Sequence, residues 1–254
     1  MKIYFASDFH LGIDGDLPHR ERERMVVDWL QEVGEDADVI YLVGDLFDFW
    51  FEYRRAVPRG HLRFLGALAQ LRDKGVKLEI FTGNHDMWMF DYLEEELDLK
   101  IHRNPIRRQL GQHEFIIGHG DGLGPGDAGY KRLKKLFAHP WAQWLFARLH
   151  PNAGIALAEF WSGKSRAQNI EEEDYLGDEK EWLVQYCEEQ LASGKEVDFF
   201  VFGHRHLAID KTLSNGKSRY INLGEWMRAR SYAVYDGERL ELRHYKNKEG
   251  HIIK

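Results

Sequence analysis

Five short apolar runs in this chain each end on a residue able to bind a metal. Residues 2–7 lead into Asp8 and His10, and residues 39–44 into Asp45. Residues 77–83 lead into Asn84, with His85 and Asp86 beyond it, residues 114–118 into His119, and residues 197–203 into His204 and His206. In open α/β sheets, binding sites form beyond the carboxyl ends of the strands, so all five tips are expected at one edge. Asp8 and His10 are two residues apart, as are His204 and His206. In an extended segment alternate side chains share a face, and each pair would then meet one centre.

The candidate ligands Asp8, His10, Asp45, Asn84, His119, His204 and His206 exceed what one ordinary transition ion takes. They suit two divalent ions that share a carboxylate, the arrangement that activates water and clamps an in-line displacement at phosphorus. Two aspartates offset only part of the charge of two divalent cations, and the centre left positive attracts a phosphoryl group. Oxygen and imidazole donors without thiolate admit manganese, iron, zinc or cobalt, and manganese is the first expectation. A single Gly-Asp or Gly-His at a strand end is ordinary turn chemistry. Five such ends in order are not. The other histidines (His19, His61, His102, His113, His139, His150, His244 and His251) have no such setting and are expected mostly at the surface.

Residues 20–33 space Met25, Trp29 and Val33 as a helix does, and residues 61–71 do the same with Leu62, Leu65, Leu68 and Leu71. Strands alternating with helices predict an α/β arrangement. The C-terminal part differs, with short β-like runs at 209–213, 220–223, 231–235 and 240–245. Asn215-Gly216 and Asp236-Gly237 between them are hairpin signals. The fold expected is α/β to α+β, with a mixed sheet or two sheets face to face. Residues 124–194 break the pattern. Helical spacing at 130–137, 141–149, 155–161 and 171–191 reads as a helical insertion between the fourth and fifth tips, within one domain spanning 1–254. Residues 171–174, all acidic, read as the solvated first turn of a helix.

A net charge of −7 argues against a generally basic nucleic-acid binder, so no nucleic-acid partner is expected. The single cysteine, Cys187, allows no intrachain disulfide and fits a cytoplasmic protein. The start, MKIYFASDFH, reads directly as a strand and not as a signal peptide. No stretch approaches the roughly 20 apolar residues that span a bilayer. The expectation is a soluble protein, attached at most to a membrane surface. The insertion bears on that last point. Residues 131–166 carry Lys131, Arg132, Lys134, Lys135, Arg148, Lys164 and Arg166 against Glu159 alone, with Trp141, Trp144 and Trp161 among them. Aromatic stripes at helical spacing are usually core. Cationic, tryptophan-rich helices also suit an anionic membrane boundary, or a pocket for acyl chains.

The ordered series D-x-H (Asp8, His10), G-D (Gly44, Asp45), G-N-H-D (residues 83–86), G-H (Gly118, His119) and G-H-x-H (residues 203–206) resembles the calcineurin-like metallophosphoesterases. That resemblance implies a two-sheet sandwich flanked by helices. It implies one ion on Asp8, His10, Asp45 and His206, and another on Asp45, Asn84, His119 and His204, with Asp45 bridging. SDFHLG at 7–12, GDLFDFW at 44–50, HGDGLGPGDAGY at 119–130, HPWAQWLF at 139–146, SRAQN at 165–169 and LGEW at 223–226 resemble one subfamily more closely. This subfamily is the UDP-2,3-diacylglucosamine pyrophosphatases of lipid A biosynthesis. The resemblance implies hydrolysis of the diphosphate of a nucleotide-linked glycolipid to UMP and a lipid monophosphate, at the cytoplasmic face of the inner membrane. It implies that Asn84, His85, Asp127, Tyr130, Ser165 and Asn169 face the substrate. His85 stands where that subfamily commonly carries an arginine. In the wider superfamily a histidine there donates a proton to the leaving oxygen, which gives Asn84, His85 and Asp86 catalytic roles, Asp86 holding the ring. Two alternatives stay open: hydrolysis of another phosphodiester, nucleotide or phospholipid, and a non-catalytic interaction domain of the same fold.

Overall fold

The computed structural model describes residues 1–126, 128–158, 160, 175 and 177–254. Two mixed sheets lie face to face. In the first, β1 (Ile3–Ala6), β2 (Val39–Val43), β3 (Lys77–Phe81) and β4 (Lys100–His102) run parallel. In the second, β5 (Ile106–Leu110) pairs antiparallel with β6 (His113–Ile117), and β6, β7 (Phe199–Phe202) and β9 (Arg219–Leu223) run parallel. β8 (Ala208–Thr212) closes that sheet as a hairpin partner of β9, giving the order β5-β6-β7-β9-β8. The hairpin of β10 (Ser231–Tyr235) and β11 (Leu240–His244) extends the first sheet, giving the order β11-β10-β1-β2-β3-β4. Both hairpins turn at the expected Asn-Gly and Asp-Gly sites.

The central strands are buried on both faces, which is why they read as continuous apolar runs. Ile3 and Phe5 enter the core between the sheets with Tyr41, Val43, Phe81, Phe115 and Val201. Tyr4 and Ala6, one residue out of phase, enter the core on the outer face. There Val26, Trp29 and Leu30 of α1 (His19–Val33) meet Phe64, Leu68 and Leu71 of α2 (Leu62–Asp73). A third core under the second sheet takes Leu183, Val184 and Cys187 of the last helix, α6 (Trp182–Ala192).

Before α6 come α3 (Tyr92–Leu97), α4 (Ala128–Phe137), α5 (Pro140–Phe146) and a helical stretch at 151–158. Phe146 and Ala158 pack with Phe51 and Trp88 in a small separate core. Among the described residues no helix is long and apolar enough to cross a membrane.

Three expectations need correction. The helix expected at 171–191 begins only at Trp182, because Gly177 sits at φ 89° and residues 178–180 form a turn; residues 171–174 lie outside the described residues. The helix expected to reach 149 ends at Phe146. Two of the histidines assigned to the surface, His61 and His102, are buried. His61 sits against the ring of Phe47 at 4.8 Å, and burial pushes its pKa down to about 4. His102 Nε2 lies 2.7 Å from Glu79 Oε2. The short elements α3, β4 and β5 had no counterpart in the sequence reading, since three to six residues are too few to show a period.

Candidate metal centre

The five tips do meet at one edge, the carboxyl ends of β1, β2 and β3 in one sheet and of β6 and β7 in the other. They meet by a different local geometry from the one expected. β1 ends at Ala6 and β7 at Phe202, so neither ligand pair lies on a strand. Asp8, His10, Asp45, His204 and His206 have φ of 56°, 43°, 51°, 70° and 53°. The pairs converge because their backbones turn left-handed, and strand alternation plays no part. For a residue with a Cβ this conformation costs on the order of 1–3 kcal/mol, and it persists only where the surroundings over-determine it. The tips lock one another: Asp8 N–H donates to Gly44 O and His10 N–H to Asp45 O, both at 3.0 Å, and Trp226 N–H donates to Asp8 O at 3.1 Å.

The glycines of the motifs are spacers. A Cβ on Gly83 would lie 2.1 Å from Asp45 Oδ1, and one on Gly203 would lie 2.5 Å from Asp8 Oδ2. Any other residue there would push a ligand out of place.

Two clusters result. In one, His206 Nε2 lies 3.1 Å from His10 Nε2 and 3.4 Å from Asp8 Oδ1. In the other, His119 Nε2 lies 3.3 Å from both Asp45 Oδ2 and Asn84 Oδ1, with the ring of His204 at 5.2 Å. Asp45 faces both, since its Oδ2 is also 3.8 Å from His10 Nε2. Asp8, His10, Asp45 and His119 are each at most 3% exposed.

The electrostatics fit cations. Burial opposes ionisation of Asp8, yet the imidazoles of His10 and His206 hold its pKa below the carboxylate range. Burial opposes Asp45 too, and His119 and His85 outweigh it. Burial would lower His119, but Asp45 pushes it up to about 10; burial and the charge of His119 push His204 down to about 4. The protein alone thus balances its carboxylates by loading a proton onto His119. His119 Nδ1 lies 2.9 Å from Val43 O, so Nδ1 donates and Nε2 is the nitrogen turned to the cluster. A cation and a proton would compete for that atom. Among the described residues the buried Nδ1 of His10 has no hydrogen-bond partner, and burial lowers the pKa of this ring. Imidazole nitrogens and ionised carboxylates converging within 4.8 Å are the donor set a divalent ion needs, once it displaces the proton of His119.

Of the remaining site expectations, His85 is brought in: its ring is 4.8 Å from that of His10, and it forms a third potential ligand group with His10 and Asp45. Its assigned orienter is corrected. Asp86 accepts from Gly83 N–H and Leu46 N–H, both at 2.7 Å, and so ties the second tip to the third. The group against His85 is Asp48, whose carbonyl O is 2.9 Å from His85 Nδ1. Asp86 is fully buried beside Asp45, which raises it to about 7. Tyr130 donates to Asp121 Oδ2, and its ring is 6.4 Å from that of His204. Asp127, Ser165 and Asn169 lie outside the described residues.

The sequence reading missed Asp48 and Asp121. Both stood inside quoted motifs, three residues after Asp45 and two after His119.

Two cavities flank α4 at this edge. One, of about 460 Å³, is walled mainly by Phe49, Met87, Trp88, Leu133 and Phe137, and opens on Asn84 and His85. The other, of about 370 Å³, borders His119 and Asp121 and is ringed by Arg103, Lys131, Lys134 and Lys135. Lys134 lines both, its Nζ 2.6 Å from Asp121 Oδ2.

The description of the calcineurin-like phosphoesterases matches residues 1–208. A UDP-2,3-diacylglucosamine hydrolase of Porphyromonas gingivalis is 41% identical over 98% of this chain and 99% of its own length. Another of the same name, from Aeromonas salmonicida, is 29% identical over 96% and 94%. A match that runs through all five tips and a relative alike from end to end leave one conclusion: this chain is a metal-dependent phosphoester hydrolase and belongs to the calcineurin-like phosphoesterase family.

Proposed function

We propose that this protein hydrolyses the diphosphate of UDP-2,3-diacylglucosamine, releasing UMP and the lipid monophosphate. The observation that carries this reading is the apolar cavity of about 460 Å³ opening directly on Asn84 and His85, beside the ligand clusters. A hydrolase of small phosphodiesters has no use for such a wall, whereas acyl chains do. Residues 124–194 would act as a lid that adds Leu133, Leu136 and Phe137 to a wall built otherwise from Phe49, Met87 and Trp88, within a single domain. The basic cavity beyond α4 suits the nucleotide half of the substrate.

Asp8, His10, Asp45 and His206 would hold one divalent ion, and Asp45, Asn84, His119 and His204 the other, with manganese the preferred metal. Such ions polarise the phosphate and lower the pKa of water. The chain's own part is positioning and proton traffic. His85 borders both the clusters and the apolar cavity. With Nδ1–H donated to Asp48 O, its Nε2 is the atom that takes up and delivers a proton to the leaving oxygen. Asp127, Ser165 and Asn169 are assigned substrate contacts by motif. The exposed Trp141, Trp144 and Leu145 beside Arg148 support docking on an anionic membrane surface, on the cytoplasmic side.

The test compares kcat/KM for UDP-2,3-diacylglucosamine and a water-soluble aryl phosphodiester in the manganese-loaded enzyme. A preference of at least about a hundredfold for the glycolipid, some 2.7 kcal/mol, is expected. Equal rates would support the alternative of a phosphoesterase for other diesters, which His85 in place of arginine favours.

A further inference from the structure

Five left-handed ligand residues need something to hold them, and the interlocked tips are only part of it. Two buried arginines support the two D/H-x-H loops, Arg22 from outside its loop and Arg205 from within its own. Arg22 of α1 is fully buried, and its guanidinium donates to four main-chain carbonyls. Nε reaches Phe9 O at 2.9 Å and NH2 reaches His10 O at 2.7 Å. NH2 also donates to Ile13 O and NH1 to Leu17 O. The loop that carries Asp8 and His10 is thus wrapped around one planar cation. Arg205 sits between His204 and His206 and is 4% exposed. Its Nε donates to Glu181 Oε2 at 3.0 Å and its NH2 to Glu181 Oε1 at 2.7 Å, with the Trp182 ring 4.6 Å from Cζ. Glu181 is fully buried and immediately precedes α6. The main chain at Arg205 is bent tightly, its N–H donating to Gly203 O at 2.8 Å.

The geometry points to Arg22 and the Arg205–Glu181 pair as positioning residues of the metal centre, each clamping one D/H-x-H loop in its left-handed turn. The planar fork of Arg22 suits this task because its fixed donors are filled by carbonyls of the loop itself, whereas the fork of Arg205 ties its loop to Glu181. The two clamps act unequally. Arg22 governs His10 and Asp8, which belong to one cluster. Arg205 governs His206 in that cluster and His204 in the other. The clamp on the fifth tip is anchored at the start of α6, where the chain returns from the insertion to the sandwich.

This inference rests on the two-ion reading, and the experiment separates the two. Manganese binding to the full-length protein is titrated calorimetrically for four variants: Arg22→Met, Arg22→Lys, the double variant Arg205→Gln with Glu181→Gln, and His10→Ala. The double variant keeps a hydrogen-bonded pair and leaves no lone buried charge. Melting in excess chelator reports the metal-free fold. The Arg22 variants are expected to weaken one ion by about 10–100-fold, and the double variant to weaken both, as other supports behind metal ligands do. For an aryl phosphodiester, kcat should fall with KM nearly unchanged, and Arg22→Lys should retain more than Arg22→Met. Wild-type affinity for both ions in the Lys and double variants, whatever their melting temperature, overturns the proposal. Wild-type affinity in His10→Ala would instead overturn the two-ion reading beneath it.

Discussion

The ligand tips and the helices α4 and α5 are inverses of one another. At the tips the chain buries its charges: Asp8 is 0% exposed and Asp45 is 1% exposed. Along α4 no residue is buried, and Leu136, Trp141, Trp144 and Leu145 of the two helices stand 51–72% exposed. Each arrangement would be costly in an isolated protein, since a buried charge needs a partner and exposed apolar surface needs a cover. The partner differs in kind. The tips hold ionised carboxylates beside a proton on His119 that a cation would displace, while among the described residues the helices leave apolar side chains uncovered. One region is locked by its own hydrogen bonds; the other leaves its apolar side chains to solvent.

The largest effect on this contrast comes from Asp45, the residue both clusters share. Asp45→Ala is expected to lower hydrolysis by at least about a thousandfold, or 4 kcal/mol of barrier, and to leave the protein short of metal. The metal-free fold should survive, because the two sheets close on Phe5, Tyr41 and Phe115 and not on the site. Rates alongside elemental analysis check this. Retained activity at full metal content would break the comparison at its polar end.

That end was also the one the sequence showed best. Hydrophobic runs buried on both faces are unmistakable, and the ligand that ends each run marks the functional edge. The left-handed turns were not legible, because nothing in D-x-H separates a turn from a strand. Nor was Asp48, whose contact with His85 arises from two loops 37 residues apart in sequence. Arg22 stands in a run of alternating charges, and only tertiary packing sets it apart from Arg20 and Arg24. The helices at 128–137, 140–146 and 182–192 were legible but their ends were not, since Gly177 can continue or break a helix and the fold decides.

A middle-sized effect tests whether the sandwich buries charge only at its site. Glu79 on β3 is 1% exposed, with Lys77 Nζ at 2.8 Å and Arg108 NH2 at 3.4 Å. Burial would raise its pKa, but His102 and Lys77 outweigh burial and hold it at about 2, against 4.5 for a free glutamate. A carboxylate held low stabilises the fold above its unfolded pKa and loses that contribution as pH falls through the folded value. Glu79→Gln should therefore cost on the order of 2–3 kcal/mol at pH 6 and almost nothing near pH 2. Denaturant midpoints of both proteins across that range test it. A pH-independent difference would show that Glu79 matters for packing alone.

The smallest effect on the folded protein belongs to the opposite region. Trp141 is 72% exposed, with the ring of Trp144 5.9 Å away and Arg148 Cζ 4.6 Å from the Trp144 ring. So exposed a side chain contributes little to folding, and Trp141→Ser should shift stability by no more than about 0.5 kcal/mol. If the helices meet an anionic membrane, the same substitution removes a ring that would be buried there. Binding to phosphatidylglycerol vesicles should then fall by about five- to thirtyfold, or 1–2 kcal/mol. Sedimentation with anionic and with zwitterionic vesicles distinguishes apolar insertion from charge attraction, because lysine-driven binding vanishes on zwitterionic lipid whatever stands at position 141. Equal vesicle binding by the wild type and Trp141→Ser would mean that this face covers only the substrate's chains. The contrast with the tips would then concern one ligand seen from its two ends, with no membrane involved.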